Sequence, residues 1–126
     1  MTMEIETQEQ IRLSAYLDRA YPNVLYTASA GGMRTSMGTA VKMKRMGYKK
    51  GTPDIMVFEP TEKYRGLFIE LKRPKTPLSP KGDIKPHQTE WLEKLKLRGY
   101  MATVCYGFDE AKTVLDEYIF VGKVRP

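Results

Sequence analysis

The sequence has almost none of the residues on which several protein classes depend. Its 126 residues include one cysteine, Cys105, and one histidine, His87. A single cysteine excludes a disulfide framework and multi-cysteine zinc sites, and a single histidine excludes motifs built on histidine pairs. The longest stretch without charge, 20–33, contains a proline and two glycines, so no membrane-spanning helix is predicted.

The length and composition predict one small globular domain. With 41% hydrophobic and 29% charged residues, the chain is close to the globular average and has enough apolar side chains for one modest core. The N-terminus is acidic and does not have the basic, then apolar, layout of a secretion signal. We therefore expect a single domain over residues 1–126, located in the cytoplasm.

Positive charge is concentrated in two stretches. Lys and Arg number 21 against 15 Asp and Glu, a formal net charge of +6. Residues 27–53 contain six basic side chains and no acidic one, and residues 72–86 contain five, with Asp83 the only acidic one. Such clustering predicts a polyphosphate partner, because each neutralised phosphate releases condensed counterions. A basic face kept for solubility is the alternative.

Hydrophobic periodicity and turn residues predict a mixed α/β fold. A helix is expected over 6–21, and Thr7 with Gln10 could form a capping box at its start. The other expected elements are a strand within 24–28, a short helix capped by Thr35 or Ser36 and ending at Gly47, strands at 55–58 and 67–71, a helix over 87–98, a strand over 101–106, and a last helix capped by Asp109.

Two neighbouring strands bring three charged side chains together. If 54–59 and 67–72 form an antiparallel hairpin with 59 opposite 67, the even-numbered positions share one face. Asp54, Glu70 and Lys72 then converge, with the two carboxylates on diagonal neighbours about 7–8 Å apart. Two carboxylates can bind one hard cation, and a lysine beside them can orient or deprotonate a water. This arrangement favours phosphodiester hydrolysis.

Each of these motifs taken alone has a structural explanation. The Glu-x-Lys pattern occurs again at Glu110–Lys112, at a helix start, and an aspartate after a proline is common in turns. A surface salt bridge would explain Glu70 with Lys72. It would not explain why Asp54 is predicted on the same face, and that joint placement favours the catalytic interpretation.

The ordered motifs resemble the VRR-NUC group of the PD-(D/E)xK nuclease superfamily. They are Gly51-Thr52-Pro53-Asp54-Ile55, Ile69-Glu70-Leu71-Lys72 and Gln88-x-x-Trp91, and the resemblance extends over residues 6–119. It implies a restriction-endonuclease-like core and a Mg²⁺- or Mn²⁺-dependent deoxyribonuclease. Stand-alone members of this size imply a homodimeric endonuclease of a bacterium or a virus-infected host cell. Its expected substrate is branched DNA such as a four-way (Holliday) junction.

The resemblance also implies roles for the central residues. Asp54 and Glu70 would bind the metal ion together with the backbone carbonyl of Leu71. Lys72 would activate the attacking water, and Gln88 would orient the lysine or a water.

Two acidic residues compete for one further role. Glu6 would supply the acid of the family's first motif, but Glu9 competes for it if Thr7 caps the first helix.

The resemblance also implies contacts with DNA phosphates. Four basic residues would bind backbone phosphates, with solubilising charge as the alternative: Arg34, Lys42, Lys49 and Lys50. The competing functions are a non-catalytic nucleic-acid-binding module with the same fold and a nuclease directed at flaps or nicks.

Overall fold

A computed structural model describes residues 4–29 and 36–124 of the chain. The elements follow the predicted order: α1 Ile5–Ala20, β1 Tyr26–Ala28, α2 Met37–Arg45, β2 Ile55–Val57, β3 Leu67–Lys72, α3 Pro86–Leu97, β4 Met101–Tyr106 and α4 Phe108–Val124. The predicted mixed α/β class is confirmed. Within the described ranges, no helix has the length and apolar character needed to cross a membrane.

The strands form one mixed sheet in the order β1-β2-β3-β4. The first two neighbouring pairs are antiparallel, and β3 pairs with β4 in parallel. A parallel pair needs a long crossover connection, and α3 supplies it.

The helices cover the two faces of this sheet differently. On one face, Ile55, Ile69 and Leu71 are buried in a cluster with residues of α1 and α4. On the other face, Phe68 packs with Leu92 of α3 in a smaller cluster. The prediction that the odd-numbered residues of β2 and β3 point to the side away from Glu70 is therefore confirmed.

The predicted register of the hairpin is wrong by two residues. The observed pairs are Ile55 with Ile69 and Val57 with Leu67. Tertiary contacts lengthen the loop between β2 and β3. The Phe58 N–H donates to the backbone oxygen of Leu25, just before β1, at 2.8 Å. The Glu59 carbonyl accepts from the Tyr118 hydroxyl at 2.6 Å. A shift of two residues keeps every side chain on its predicted face.

Two predicted caps are also wrong, and one is confirmed. The helix α1 begins at Ile5 with Glu4 at its N-cap, so Thr7 lies inside the helix and does not cap it. The helix α4 begins at Phe108, one residue before the expected cap Asp109. Ser36 does cap α2, because its Oγ accepts the Thr39 N–H at 3.1 Å.

Candidate active site

Asp54 and Glu70 form a carboxylate pair between β2 and β3. Continuing the observed register places Asp54 directly opposite Glu70, where the prediction had them diagonal. Their carboxyl groups lie within hydrogen-bonding range of each other, and Glu70 is only 2% exposed. Asp54 is further fixed because its Oδ2 accepts the Leu71 N–H at 2.7 Å. Two acidic groups are thus held together, Glu70 buried and Asp54 half-buried.

This proximity changes the acidity of Glu70. Burial, the hydrogen bond with Asp54 and the negative charge of Asp54 together raise the pKa of Glu70 to about 9, against the opposing effect of Lys72. Like charges at such a distance cannot both ionise easily in a buried setting. Near neutral pH the ion-free pair therefore keeps a proton.

Lys72 is the third charged group on this face. It is 7% exposed, and its positive charge acts on both Glu70 and Glu6. Its backbone carbonyl accepts the Gly107 N–H at 3.0 Å on the β4 side. The N–H and C=O of one strand residue point to the same side, and neighbouring residues alternate. The Leu71 carbonyl therefore points toward β2, on the side of Asp54.

The two glutamates of α1 face different parts of the molecule. Glu6 and Asp54 line the same cavity of about 380 Å³. Burial raises the pKa of Glu6; the Lys72 charge lowers it and the Asp54 charge raises it, so Glu6 senses the site electrostatically. Glu9 instead accepts the Phe108 N–H at 3.2 Å and pairs with Arg12 at 3.1 Å. Its carboxylate therefore caps the N-terminus of α4.

Gln88 lies in the first turn of α3. Its Oε1 accepts the N–H of Lys85 at 2.8 Å, and its own backbone N–H donates to the Lys85 carbonyl at 3.0 Å, with Gln88 the third helical residue. This structural use of the amide was not predicted.

Gly51 fixes the segment that leads to Asp54. Its φ of +96° is readily accessible only to glycine, and a Cβ there would lie 2.7 Å from the backbone oxygen of His87. The Trp91 indole N–H also donates to the carbonyl of Lys50 at 3.0 Å. The start of α3 thereby holds residues 50–51, and with them the entry into β2.

The predicted phosphate-binding residues divide into two groups. Lys42, Lys49 and Lys50 are exposed on α2 and on the segment after it. Arg34 lies outside the described residues.

Tyr48 was not predicted to lie near the site. Its hydroxyl oxygen is buried, and burial and the charge of Asp54 raise the pKa of Tyr48. Tyr48 is thus close enough to Asp54 for the two groups to interact electrostatically. Tyr48 belongs to none of the recognised motifs, and only its place next to the turn glycine Gly47 hinted at a defined position.

The donor set fits a hard divalent cation. In the described parts of the chain, no group of three or more His, Cys, Asp and Glu side chains is arranged to hold a metal ion. Mg²⁺ is nevertheless usually bound through one or two carboxylates, keeps several waters and takes further oxygens from a phosphate substrate. The site therefore suits an ion completed by its substrate.

Comparisons with known proteins bear on the family and the fold of the chain. Residues 33–109 match the model of the VRR-NUC domain. A solved structure described as a "VRR_NUC domain protein" is 27% identical, with a TM-score of 0.76 over 97% of this chain and 93% of the other. No curated protein matches the chain.

Proposed function

The chain belongs to the VRR-NUC family, whose members are generally nucleases, and from that premise we propose that it is a divalent-metal-dependent DNA endonuclease. The observation that carries this proposal is the Asp54–Glu70 carboxylate pair with Lys72 on the same face of the sheet. A structural salt bridge would not bring two carboxylates into contact.

Asp54, Glu70 and the Leu71 carbonyl would hold Mg²⁺ or Mn²⁺. When bound, such an ion supplies Lewis-acid polarisation of the scissile phosphate. Lys72, 7% exposed on the same face of the sheet, orients and deprotonates the attacking water.

The surrounding residues have supporting roles in this proposal. Glu6 approaches the pair from α1 and adjusts the charge around Lys72. The Gln88 amide nitrogen is a donor that can orient a water while its Oε1 remains in the cap. Arg34, Lys42, Lys49 and Lys50 would contact backbone phosphates of the DNA.

A homodimer is part of the proposal. No residue of α2 is buried, and its apolar residues Met37 and Val41 are 85% and 54% exposed. They are one helical turn apart and so form one apolar face, which a second copy of the chain would cover. Two sites related by two-fold symmetry suit cleavage of two strands at a four-way junction. Light scattering should give twice the chain mass, and a monomeric mass would contradict this part.

The decisive experiment tests Lys72 on a panel of DNA structures. Cleavage of four-way junctions, flaps, nicked duplex and linear duplex is measured with Mg²⁺, with Mn²⁺ and with EDTA. We expect junctions to be cleaved fastest and EDTA to stop cleavage. Lys72→Ala should lower the rate by about 10²–10⁴-fold, the range of general acid–base catalysis, without loss of DNA binding.

Lys75→Ala is the matched control, because it removes the same charge from an exposed position three residues later. Cleavage by Lys72→Ala at the wild-type rate would refute the proposed role. Binding without cleavage under every condition would favour the second candidate, a non-catalytic nucleic-acid-binding module, which the exposed lysines of the α2 region also fit. Fastest cleavage of flaps or nicks would redirect the substrate assignment.

A further inference from the structure

A second cavity, separate from the one that Glu6 and Asp54 line, lies between residues 49–50 and α3. It has a volume of about 480 Å³, within the usual range of small-ligand sites of about 300–1,000 Å³. The proposed catalytic roles use none of its α3 residues. It therefore needs an explanation of its own.

The walls of this groove are aromatic and apolar. Trp91 lines it, and the indole N–H of Trp91 is held by the Lys50 carbonyl at 3.0 Å, so the ring position is fixed. Leu95, 7% exposed, lies one turn further along α3 and lines the same groove. A fixed ring beside a buried leucine provides a surface on which a planar apolar group can rest.

The rim of the groove is positively charged. Four cationic side chains line it: Lys49, Lys50, Lys94 and Arg98. The one carboxylate among the described lining residues, Glu90, is already paired with Lys94 at 2.6 Å. The net positive rim fits an anion, and the aromatic wall beside it fits a base.

We propose that this groove binds an unpaired nucleotide of a DNA strand, with the base against Trp91 and the phosphates on the lysine and arginine rim. Aromatic rings in a positively charged groove are the usual means of binding single-stranded nucleic acid. A duplex would not use the aromatic wall, because its base faces are already stacked. The inference rests on the proposed nuclease function and adds a substrate feature: unpaired nucleotides next to the branch.

The position of the groove supports this reading. Residues 49–50 line it, and the same segment continues through Gly51, against the backbone of His87, to Asp54. A strand cleaved at the carboxylate pair would therefore have adjoining nucleotides close to Trp91.

The test uses Trp91 as its own reporter, because it is the only tryptophan of the chain. The protein is titrated in EDTA with a short oligothymidylate, with a blunt duplex of equal length and with inorganic phosphate, while tryptophan fluorescence is recorded. We expect saturable quenching by the single strand, weakened by added salt, and little by duplex or phosphate. Equal quenching by duplex, or none by the single strand, would overturn the inference.

A matched pair of variants tests the rim. Lys94→Ala and Lys96→Ala each break an ion pair on the same helix, with Glu90 and Glu93, but only Lys94 lines the groove. Anisotropy of a labelled oligothymidylate should show several-fold weaker binding for Lys94→Ala and no change for Lys96→Ala. Equal losses in both variants would contradict a role of the groove.

Variants of the ring separate stacking from folding. Trp91→Ala should weaken binding of the single strand by about tenfold or more, whereas Trp91→Phe should retain most of it. Because these measurements are made without divalent ions, they do not depend on cleavage. Loss of cleavage with intact quenching would remove the proposed enzyme activity alone. Cleavage with no preference for the single strand would remove the groove assignment alone.

Discussion

The two faces of the β2–β3 hairpin are both buried but differ in chemistry. On one face, Ile69 and Leu71 are fully enclosed among apolar residues of α1 and α4. On the other, Glu70 and Lys72 alternate with them and are also nearly inaccessible. Burying charge opposes folding, whereas burying aliphatic side chains favours it. The apolar face therefore stabilises a strand whose opposite face combines Phe68, packed against α3, with the charged residues Glu70 and Lys72.

The largest expected effects come from substituting two adjacent residues of β3, Glu70 and Ile69, which lie on opposite faces. Glu70→Gln should lower cleavage by about a hundredfold or more, because a bound divalent ion contributes several kcal/mol and each ~1.4 kcal/mol is a factor of ten. Its stability should not fall, since a buried carboxyl becomes a neutral amide. Ile69→Ala should instead destabilise the fold by about 2–5 kcal/mol.

Both variants are measured by denaturant unfolding and by junction cleavage well below the melting temperature. The folded fraction of Ile69→Ala should cleave at nearly the wild-type rate. Loss of activity in folded Ile69→Ala, or unfolding of Glu70→Gln, would contradict the assignment of stability to one face and cleavage to the other.

Much of this division could be predicted from the sequence, and the reason is the strand period of two. Positions 54, 70 and 72 have the same parity, so they share a face in any register that differs by an even number of residues. The predicted register was wrong by two, and the site was unaffected. The contacts that set the true register, such as the Tyr118 hydroxyl on the Glu59 carbonyl, join residues far apart in the chain. Local patterns do not contain them.

The parts of the site that could not be predicted depend on similar distant contacts. Glu9 caps α4, a helix that begins 99 residues later. Gln88 caps its own helix, a use equally compatible with the motif that suggested catalysis. Tyr48 lies near Asp54, and Gly51, three residues after Tyr48, allows the chain to turn against α3. In each case the residue type fitted several roles, and tertiary structure selected among them.

Two glycines test whether the polar face depends on the docking of residues 50–51. Gly47 and Gly51 both have positive φ, but only a Cβ at Gly51 meets other atoms, at 2.7 Å from the His87 oxygen. Gly47→Ala should destabilise by about 1–2 kcal/mol through backbone strain. Gly51→Ala should lose at least about 1 kcal/mol more and slow cleavage about tenfold, because Asp54 is displaced. Equal unfolding midpoints and equal rates for the two variants would show that the docking does not matter.

A polar cluster on the apolar side should affect stability alone. Asp116 of α4 accepts hydrogen bonds from the hydroxyls of Tyr16 and Tyr21, at 2.6 and 2.7 Å, and from Lys112 at 3.0 Å. Partial burial raises the pKa of Asp116, but these hydrogen bonds outweigh it and the pKa is lowered overall. Asp116→Asn should cost about 1–3 kcal/mol without changing cleavage by folded protein.

The pH dependence of Asp116 follows from the direction of its shift. An aspartate pKa below the unfolded value of about 3.9 means that the stabilisation is fully present above about pH 4. It is lost as the pH falls through the folded-state pKa. Unfolding midpoints of the wild type should therefore fall more steeply than those of Asp116→Asn below pH ~4. Parallel curves in that range would contradict the assignment.

The smallest expected effects come from two glutamates of α1. Glu9 contributes to the fold, and Glu6 lies near the candidate active site. Glu9→Ala removes the acceptor of the Phe108 N–H and should destabilise by about 1 kcal/mol, the usual worth of a helix cap, with cleavage unchanged. Glu6→Ala should leave stability nearly constant, because burial already disfavours its charge, and should slow cleavage several-fold. If Glu9→Ala slowed cleavage and Glu6→Ala did not, Glu9 would be the first-motif acid. The catalytic carboxylate of α1 would then lie against α4 and away from Asp54.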